Sequence, residues 1–149
     1  MDVNLYTEAN GIYFGDEPVY GPISEARIRD AERDLGVTFP PSYRNFLLHL
    51  GAIGDIAGLP GPEPSAVEWT WFDVVEQNRS YWTDLHGVRH ASPLIYLEPE
   101  GGDAWFFLDF SRVDPAGECP VVIFGPFHDP PVVLAATFFD YIQMRYGVD

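Results

Sequence analysis

The chain has 149 residues, 46% of them hydrophobic and 15% aromatic, so it is long and apolar enough for one folded domain and is not a disordered chain. Its 23 Asp and Glu residues against 8 Arg and no Lys give a net charge of −15, which disfavours binding to nucleic acid and to anionic membranes. Such acidity serves either solubility or the attraction of a basic partner.

Residues 1–22 carry one weak signal of structure. Asn10 and Gly11 form a turn pair between Leu5-Tyr6 and Ile12–Phe14, which indicates a β-hairpin. No further role is assigned to this N-terminal segment.

The first helix is predicted over residues 24–35. Ser24 is a suitable N-cap, and Ile23 and Ile28 are spaced to form a hydrophobic staple across the first turn. Gly36 is the expected end of the helix, because glycine readily adopts the left-handed conformation there.

Two further helices are predicted on either side of a long loop. Two prolines precede a helix over 42–50, whose aromatic and leucine residues recur at helical spacing up to Gly51. The segment 52–66 is a Gly/Pro-rich loop, and irregular loops of this length are usually functional or mobile. A third helix is predicted over 69–85 from its apolar face.

The remaining chain predicts strands and a closing helix. Apolar runs over 93–97, 104–110 and 119–124, separated by turn-forming residues, predict three strands. The segment 127–134 is predicted to be an irregular connector, and 136–146 a final helix. This order predicts an α+β fold with a mixed or antiparallel sheet of about four to six strands packed against about four helices.

Few residues suggest catalysis. His86 and His90 have the spacing of two metal ligands on a helix, but Gly87 and Pro93 flank them and no third ligand is obvious, so a metal site is disfavoured. Asp103 and Asp109 bracket a strand and are about 20 Å apart along it, too far to act as an acid–base pair. The sequence therefore predicts no catalytic residue, no metal and no cofactor.

The compartment is predicted from equally simple features. The single cysteine, Cys119, excludes an internal disulfide and precedes Pro120 and a β-branched run, which is typical of a small buried hydrophobe. The first ten residues lack the basic start and apolar core of a secretory signal. The apolar runs are far shorter than the ~20 residues of a membrane span. These features predict a cytoplasmic protein.

Several short motifs together resemble the SUKH superfamily, the relatives of the yeast cell-wall-assembly regulator. Their order and spacing are more specific than any one of them. In the first half they are Ile28, Glu32, Leu35-Gly36, Phe39-Pro40, Tyr43, Phe46-Leu47 and Gly51, and in the second half Gly101–Trp105, Leu108-Asp109, Pro120–Val122 and Phe138–Ile142.

The resemblance implies a single SUKH-like domain over 1–149 and a role in protein binding. Bacterial members resemble immunity proteins that bind and neutralise a toxin, often a nuclease or deaminase, delivered between neighbouring cells. Eukaryotic members resemble scaffolds in signalling and cell-wall control. Neither role implies a cofactor.

Three functions are therefore considered: an immunity protein with a basic toxin as partner, a regulatory or scaffold module without a toxin, and a small metal-dependent enzyme that uses His86 and His90. For Trp69, packing in the core is the favoured interpretation, and for Asp103 the stabilisation of its own turn. The candidate partner-binding residues are Asp55, Glu63, Trp69, Glu98, Glu100 and Asp103.

Overall fold

A computed structural model describes residues 3–17, 19–59, 74, 94–101, 104–125 and 127–147. Its helices are α1 (Glu25–Leu35), α2 (Pro41–His49) and α3 (Phe138–Tyr146), and its strands are β1 (Leu94–Pro99), β2 (Trp105–Asp109), β3 (Val121–Gly125) and β4 (His128–Ala135). The predicted α+β class is confirmed, with three helices and a four-stranded antiparallel sheet among these residues.

The predicted ends of the first helix are confirmed. The Ser24 hydroxyl oxygen accepts a hydrogen bond from the Arg27 amide at 3.2 Å, which caps one of the unpaired N–H groups of the first turn. Gly36 has a φ of +72° and donates its N–H to the Glu32 carbonyl at 2.8 Å, which closes the helix. Ile23 and Ile28 are both buried, as a hydrophobic staple requires.

The sheet buries apolar residues on both faces, because strand side chains alternate between them. The strands follow the order β1-β2-β3-β4, and every pairing is antiparallel. Ile95, Leu97, Leu108 and Val121 join the main core with the helices. The opposite face forms a second cluster of Leu94, Tyr96, Phe107 and Val122.

The expectation of an irregular connector over 127–134 was wrong. This segment forms β4, in which Val132 lies opposite Ile123 and Val133 opposite Val122. The strand contains Pro130 and Pro131, and proline cannot donate a ladder hydrogen bond. Among the described strands β4 lies at an edge of the sheet, where proline is tolerated, and register shifts interrupt its pairing with β3.

The N-terminal segment packs into the core and does not form the expected hairpin. Glu8–Asn10 is a 3-10 turn closed by Gly11, and Ile12 bridges to Gly147 instead of pairing with Leu5 or Tyr6. The buried Tyr6 ring contacts Phe46 at 5.7 Å between centroids, and its hydroxyl donates to the Ser42 carbonyl at 2.6 Å. Burial of this side chain in the helical layer removes Leu5-Tyr6 from any local strand pair.

The predicted helix over 69–85 lies outside the described residues except for Val74. That residue is helical and buried, and its N–H donates to the Gly58 carbonyl at 2.7 Å. None of the helices that the structure describes is both long and apolar enough to cross a membrane.

Candidate protein-binding surface

In residues 52–59, the part of the predicted loop after α2 that the structure describes, one carboxylate lies at the surface. Of the ten residues 50–59, all are buried except Asp55. Asp55 lies in a tight turn in which the Ile56 N–H donates to the Ile53 carbonyl at 2.9 Å. Gly54 precedes it with a φ of +52°, which a turn with glycine at its first central position requires. The two flanking isoleucines are fully buried and fix the position of Asp55.

Neighbouring segments hold this turn by backbone hydrogen bonds. The Tyr20 N–H donates to the Ala52 carbonyl at 3.1 Å, and Val19 bridges to Ile53. The Ala57 N–H donates to the Leu97 carbonyl of β1 at 2.8 Å. Asp55 is therefore carried by a hydrogen-bonded turn, and residues 60–66 of the predicted loop lie outside the described residues.

Glu17 and Tyr146 converge on the same turn. A Cβ atom placed on Gly54 would lie 2.8 Å from Oε2 of Glu17 and 3.5 Å from the Tyr146 hydroxyl oxygen. Because Gly54 has no side chain, it leaves room for the Glu17 carboxylate and the Tyr146 hydroxyl. We call the group Glu17, Tyr20, Asp55 and Tyr146 the tyrosine–carboxylate surface.

Negative charge at this surface perturbs both of its phenols. Burial raises the pKa of Tyr20, and the Asp55 and Glu17 carboxylates raise it further. Burial is also the first cause that raises the pKa of Tyr146 to about 12, with Glu17, Glu98 and Asp55 adding to it and Arg145 opposing it. The Glu17 and Asp55 carboxylates therefore act on both phenols.

Tyr146 joins this surface to the N-terminal segment. Its carbonyl accepts a hydrogen bond from the Tyr13 N–H at 3.0 Å, and its ring lies 4.9 Å from that of Phe14. The Arg145 guanidinium lies over the Tyr146 ring, 5.1 Å from its centroid. The Tyr146 hydroxyl oxygen is buried and has no hydrogen-bond partner among the described residues.

Glu98, a predicted partner-binding residue, is bound within the chain. It is 1% exposed, and Arg145 contacts both of its carboxylate oxygens, with Nε 2.9 Å from Oε2 and Nη2 3.0 Å from Oε1. The Tyr141 hydroxyl also donates to Oε2. This ion pair joins β1 to α3.

The other predicted site residues lie in different places. Glu100 is exposed in the β1–β2 turn, where its N–H donates to the Ala104 carbonyl at 3.0 Å. Glu63, Trp69 and Asp103 lie outside the described residues. Sequence reasoning identified Asp55 but missed Glu17, Tyr20 and Tyr146, which come from distant parts of the chain. A signal for the turn was present in Gly54-Asp55, a typical turn pair between two isoleucines.

Reactive groups are few in the part of the chain that the structure describes. It contains no group of three His, Cys, Asp or Glu residues arranged to hold a metal ion, and His86 and His90 lie outside it. Cys119 is buried, and burial, with Glu118 and Asp109, raises the pKa of its thiol to about 12. A thiol in this state is mostly protonated and unreactive at neutral pH.

Comparison with known proteins gives one family. The protein-family model described as SMI1 / KNR4 family (SUKH-1) matches residues 22–144. A search of curated proteins found no match to the chain.

Proposed function

Because the chain belongs to the SMI1 / KNR4 family (SUKH-1), we propose that it is a bacterial immunity protein that binds and neutralises a cognate toxin domain. The observation that carries the proposal is this family match, which covers residues 22–144 and agrees with the α+β fold. In this proposal the protein is cytoplasmic and acts without catalysis or a cofactor, by occupying the toxin's surface.

The charge of the protein supports a basic partner. The net charge is −15, and several of its eight arginines are already paired with carboxylates of the same chain. Nuclease toxins bind phosphate backbones with basic residues, so such a toxin and this acidic protein would attract each other. Steering of this kind raises association rates by about 10- to 1,000-fold at low salt.

The decisive experiment is co-expression with toxins encoded beside the gene. Growth should be restored by the protein with its neighbouring toxin and not with an unrelated toxin of the same chemistry. A catalytically inactive form of the toxin should form a stable complex with the protein in solution. If no neighbouring toxin is neutralised and no complex forms, the immunity role is wrong, and a regulatory or scaffold module of the same family becomes the better proposal.

A further inference from the structure

We propose that residues 3–14 form a clasp that opens and closes as one cooperative unit over an apolar groove between α2 and α3. In the closed state the clasp fills this groove. When the clasp opens, the groove is uncovered while the helices and the sheet stay folded. This inference goes beyond the proposed function, because it concerns a motion of the domain itself and does not depend on which partner is bound.

The first end of the clasp is attached to α2 by one side chain. Asn45 is 8% exposed, and its Nδ2 donates to the Val3 carbonyl at 2.8 Å. Its Oδ1 accepts a hydrogen bond from the Leu5 N–H at 2.9 Å. Residues 3–5 belong to no helix or strand, so the Asn45 amide satisfies backbone groups that regular structure does not pair here. Loss of this one side chain would remove both hydrogen bonds.

The middle of the clasp fills the groove with an aromatic ring. The centroid of the Tyr6 ring lies 5.7–6.2 Å from those of three phenylalanine rings of α2 and α3: Phe46, Phe138 and Phe139. Tyr6 is 3% exposed, so its departure would expose apolar surface on both helices. Exposure of apolar surface costs free energy and makes an opening sensitive to urea.

The second end of the clasp is joined to the end of α3. The Tyr13 N–H donates to the Tyr146 carbonyl at 3.0 Å, and the Phe14 ring lies 4.9 Å from the Tyr146 ring between centroids. Both sides of this joint lie outside residues 22–144, which the family model matches. The joint therefore closes the chain around the family domain and is made by residues that the model does not include.

A hydrogen-bonded turn links the two ends of the clasp. The Thr7 carbonyl accepts from the N–H groups of Asn10 and Ile12, each at 3.0 Å. Gly11 supplies the left-handed conformation of this turn, with a φ of +80°, and Ile12 is buried and bridges to Gly147. Because the turn holds these residues as one piece, release of one end should release the other. Contiguous segments that open together in this way are typical of local unfolding.

The rest of the domain has connections of its own. Among the described residues, the hydrogen bonds that leave the clasp reach α2 and α3. The end of α3 is held separately on β1 by the ion pair of Arg145 with Glu98. Each described strand pairs with the next one in the sheet. Opening of the clasp breaks none of these contacts, so the helices and the sheet remain in place.

Native-state hydrogen exchange of the intact protein, followed by NMR, tests the proposal. The reporters are the Leu5 amide, bonded to Asn45 at the first end, and the Tyr13 amide, bonded to Tyr146 at the second. We expect both amides to have the same protection factor and the same urea dependence. Their protection should be about 100-fold or more below that of the best-protected amides of β3. Protection factors or urea dependences that differ between the two reporters would overturn the proposal.

Two variants, each changed at one end, test whether the ends open together. Asn45→Ala should lower the protection of the Tyr13 amide about tenfold, because it removes two hydrogen bonds of the closed clasp. Phe14→Ala should lower the protection of the Leu5 amide at least about fivefold, because it removes an aromatic contact at the other end. If either effect stays confined to the end that carries the substitution, the clasp is not one unit and the proposal is wrong.

Val122→Ala is the control for global unfolding. Val122 is fully buried in β3 and belongs to the second cluster, on the face of the sheet opposite the main core. The substitution should lower the protection of the β3 amides at least about tenfold. Leu5 and Tyr13 should change by less than about twofold, because the sheet stays folded when the clasp opens. An equal loss at Tyr13 and in β3 would show that the clasp opens only when the whole domain unfolds, which contradicts the proposal.

Discussion

Glu98 of β1 and Arg145 of α3 form a two-point ion pair, although they are 47 residues apart in the chain. The Glu98 carboxylate is 1% exposed, whereas the Arg145 side chain is 35% exposed, so the cation closes over the buried anion from the solvent side. A buried carboxylate is tolerated only while its charge is compensated by a partner. This pair therefore governs how firmly the last helix is held to the sheet.

Replacement of Arg145 by Met should lower the free energy of unfolding by about 3 kcal/mol, because it leaves the Glu98 carboxylate buried without its cation. Urea unfolding followed by circular dichroism measures this change. Arg33→Met is the matched control, since Arg33 and its partner Asp30 are both exposed, and it should change stability by less than about 0.5 kcal/mol. A double variant Glu98→Gln/Arg145→Met should recover part of the loss. Equal effects of the two single variants would contradict the role assigned to the pair.

Tyr6 lies before the part of the chain that the family model matches, yet it belongs to the core. Its ring contacts Phe46, Phe138 and Phe139, and its hydroxyl donates to the Ser42 carbonyl. Tyr6→Ala should lower the free energy of unfolding by about 3–5 kcal/mol, and Tyr6→Phe by only about 1 kcal/mol.

The control for this prediction is Tyr13→Ala, in the same segment but 59% exposed, which should change stability by less than about 0.5 kcal/mol. Thermal and urea unfolding would measure all three variants. A Tyr6→Ala variant as stable as the wild type would mean that residues before 22 are dispensable for the core.

Gly51 and Gly11 provide a matched pair for separating backbone strain from collision. Both have positive φ, +78° and +80° respectively. A Cβ on Gly51 would overlap the Gly21 carbonyl oxygen, whereas a Cβ on Gly11 meets nothing within 4 Å. Gly11→Ala should therefore cost only about 1 kcal/mol from the left-handed conformation.

Gly51→Ala carries the same strain plus a collision with backbone, so it should cost at least about 2 kcal/mol more than Gly11→Ala. Unfolding curves of the two variants under identical conditions give the difference directly. Similar losses in both would show that the segment around Gly21 moves away at little cost.

Local signals in the sequence were sufficient for elements whose ends are defined by short-range chemistry. Ser24 and Gly36 delimit α1 because a cap and a left-handed glycine act within one turn of the helix. The strand β4 was not predicted, and its Pro130-Pro131 pair is acceptable in a strand only because β4 lies at the edge of the described sheet. That position depends on the pairing of the whole sheet.

The candidate site was predictable only in part, for a similar reason. Asp55 was identified as a loop carboxylate, but its rigid presentation depends on the burial of Ile53 and Ile56 beneath it. Glu98, in a turn-like Glu-Pro-Glu sequence, suggested exposure, and its burial results from Arg145 far along the chain. The approach of Glu17 and Tyr146 to Gly54 is tertiary, and no periodicity in a single sequence encodes it.

The Tyr146 phenol should make stability depend on pH under alkaline conditions, because its pKa in the folded protein is raised to about 12 from its ordinary value of 10.0. The folded state thus keeps this proton more tightly than the unfolded chain does. The stability that the Tyr146 phenol contributes by holding this proton is fully present below about pH 10 and is lost as the pH rises to about 12. Burial also raises the pKa of Tyr6 and Tyr141, so these residues act in the same direction. We expect urea unfolding to show a falling free energy of unfolding over this range, and Tyr146→Phe should make the fall shallower.

At neutral pH the Tyr146→Phe variant should be as stable as the wild type or slightly more so, because the hydroxyl has no hydrogen-bond partner among the described residues. Tyr141→Phe, by contrast, should be less stable, because its hydroxyl donates to the buried Glu98 carboxylate. If the pH dependence of Tyr146→Phe is the same as that of the wild type, the pKa of the Tyr146 phenol is not raised by folding.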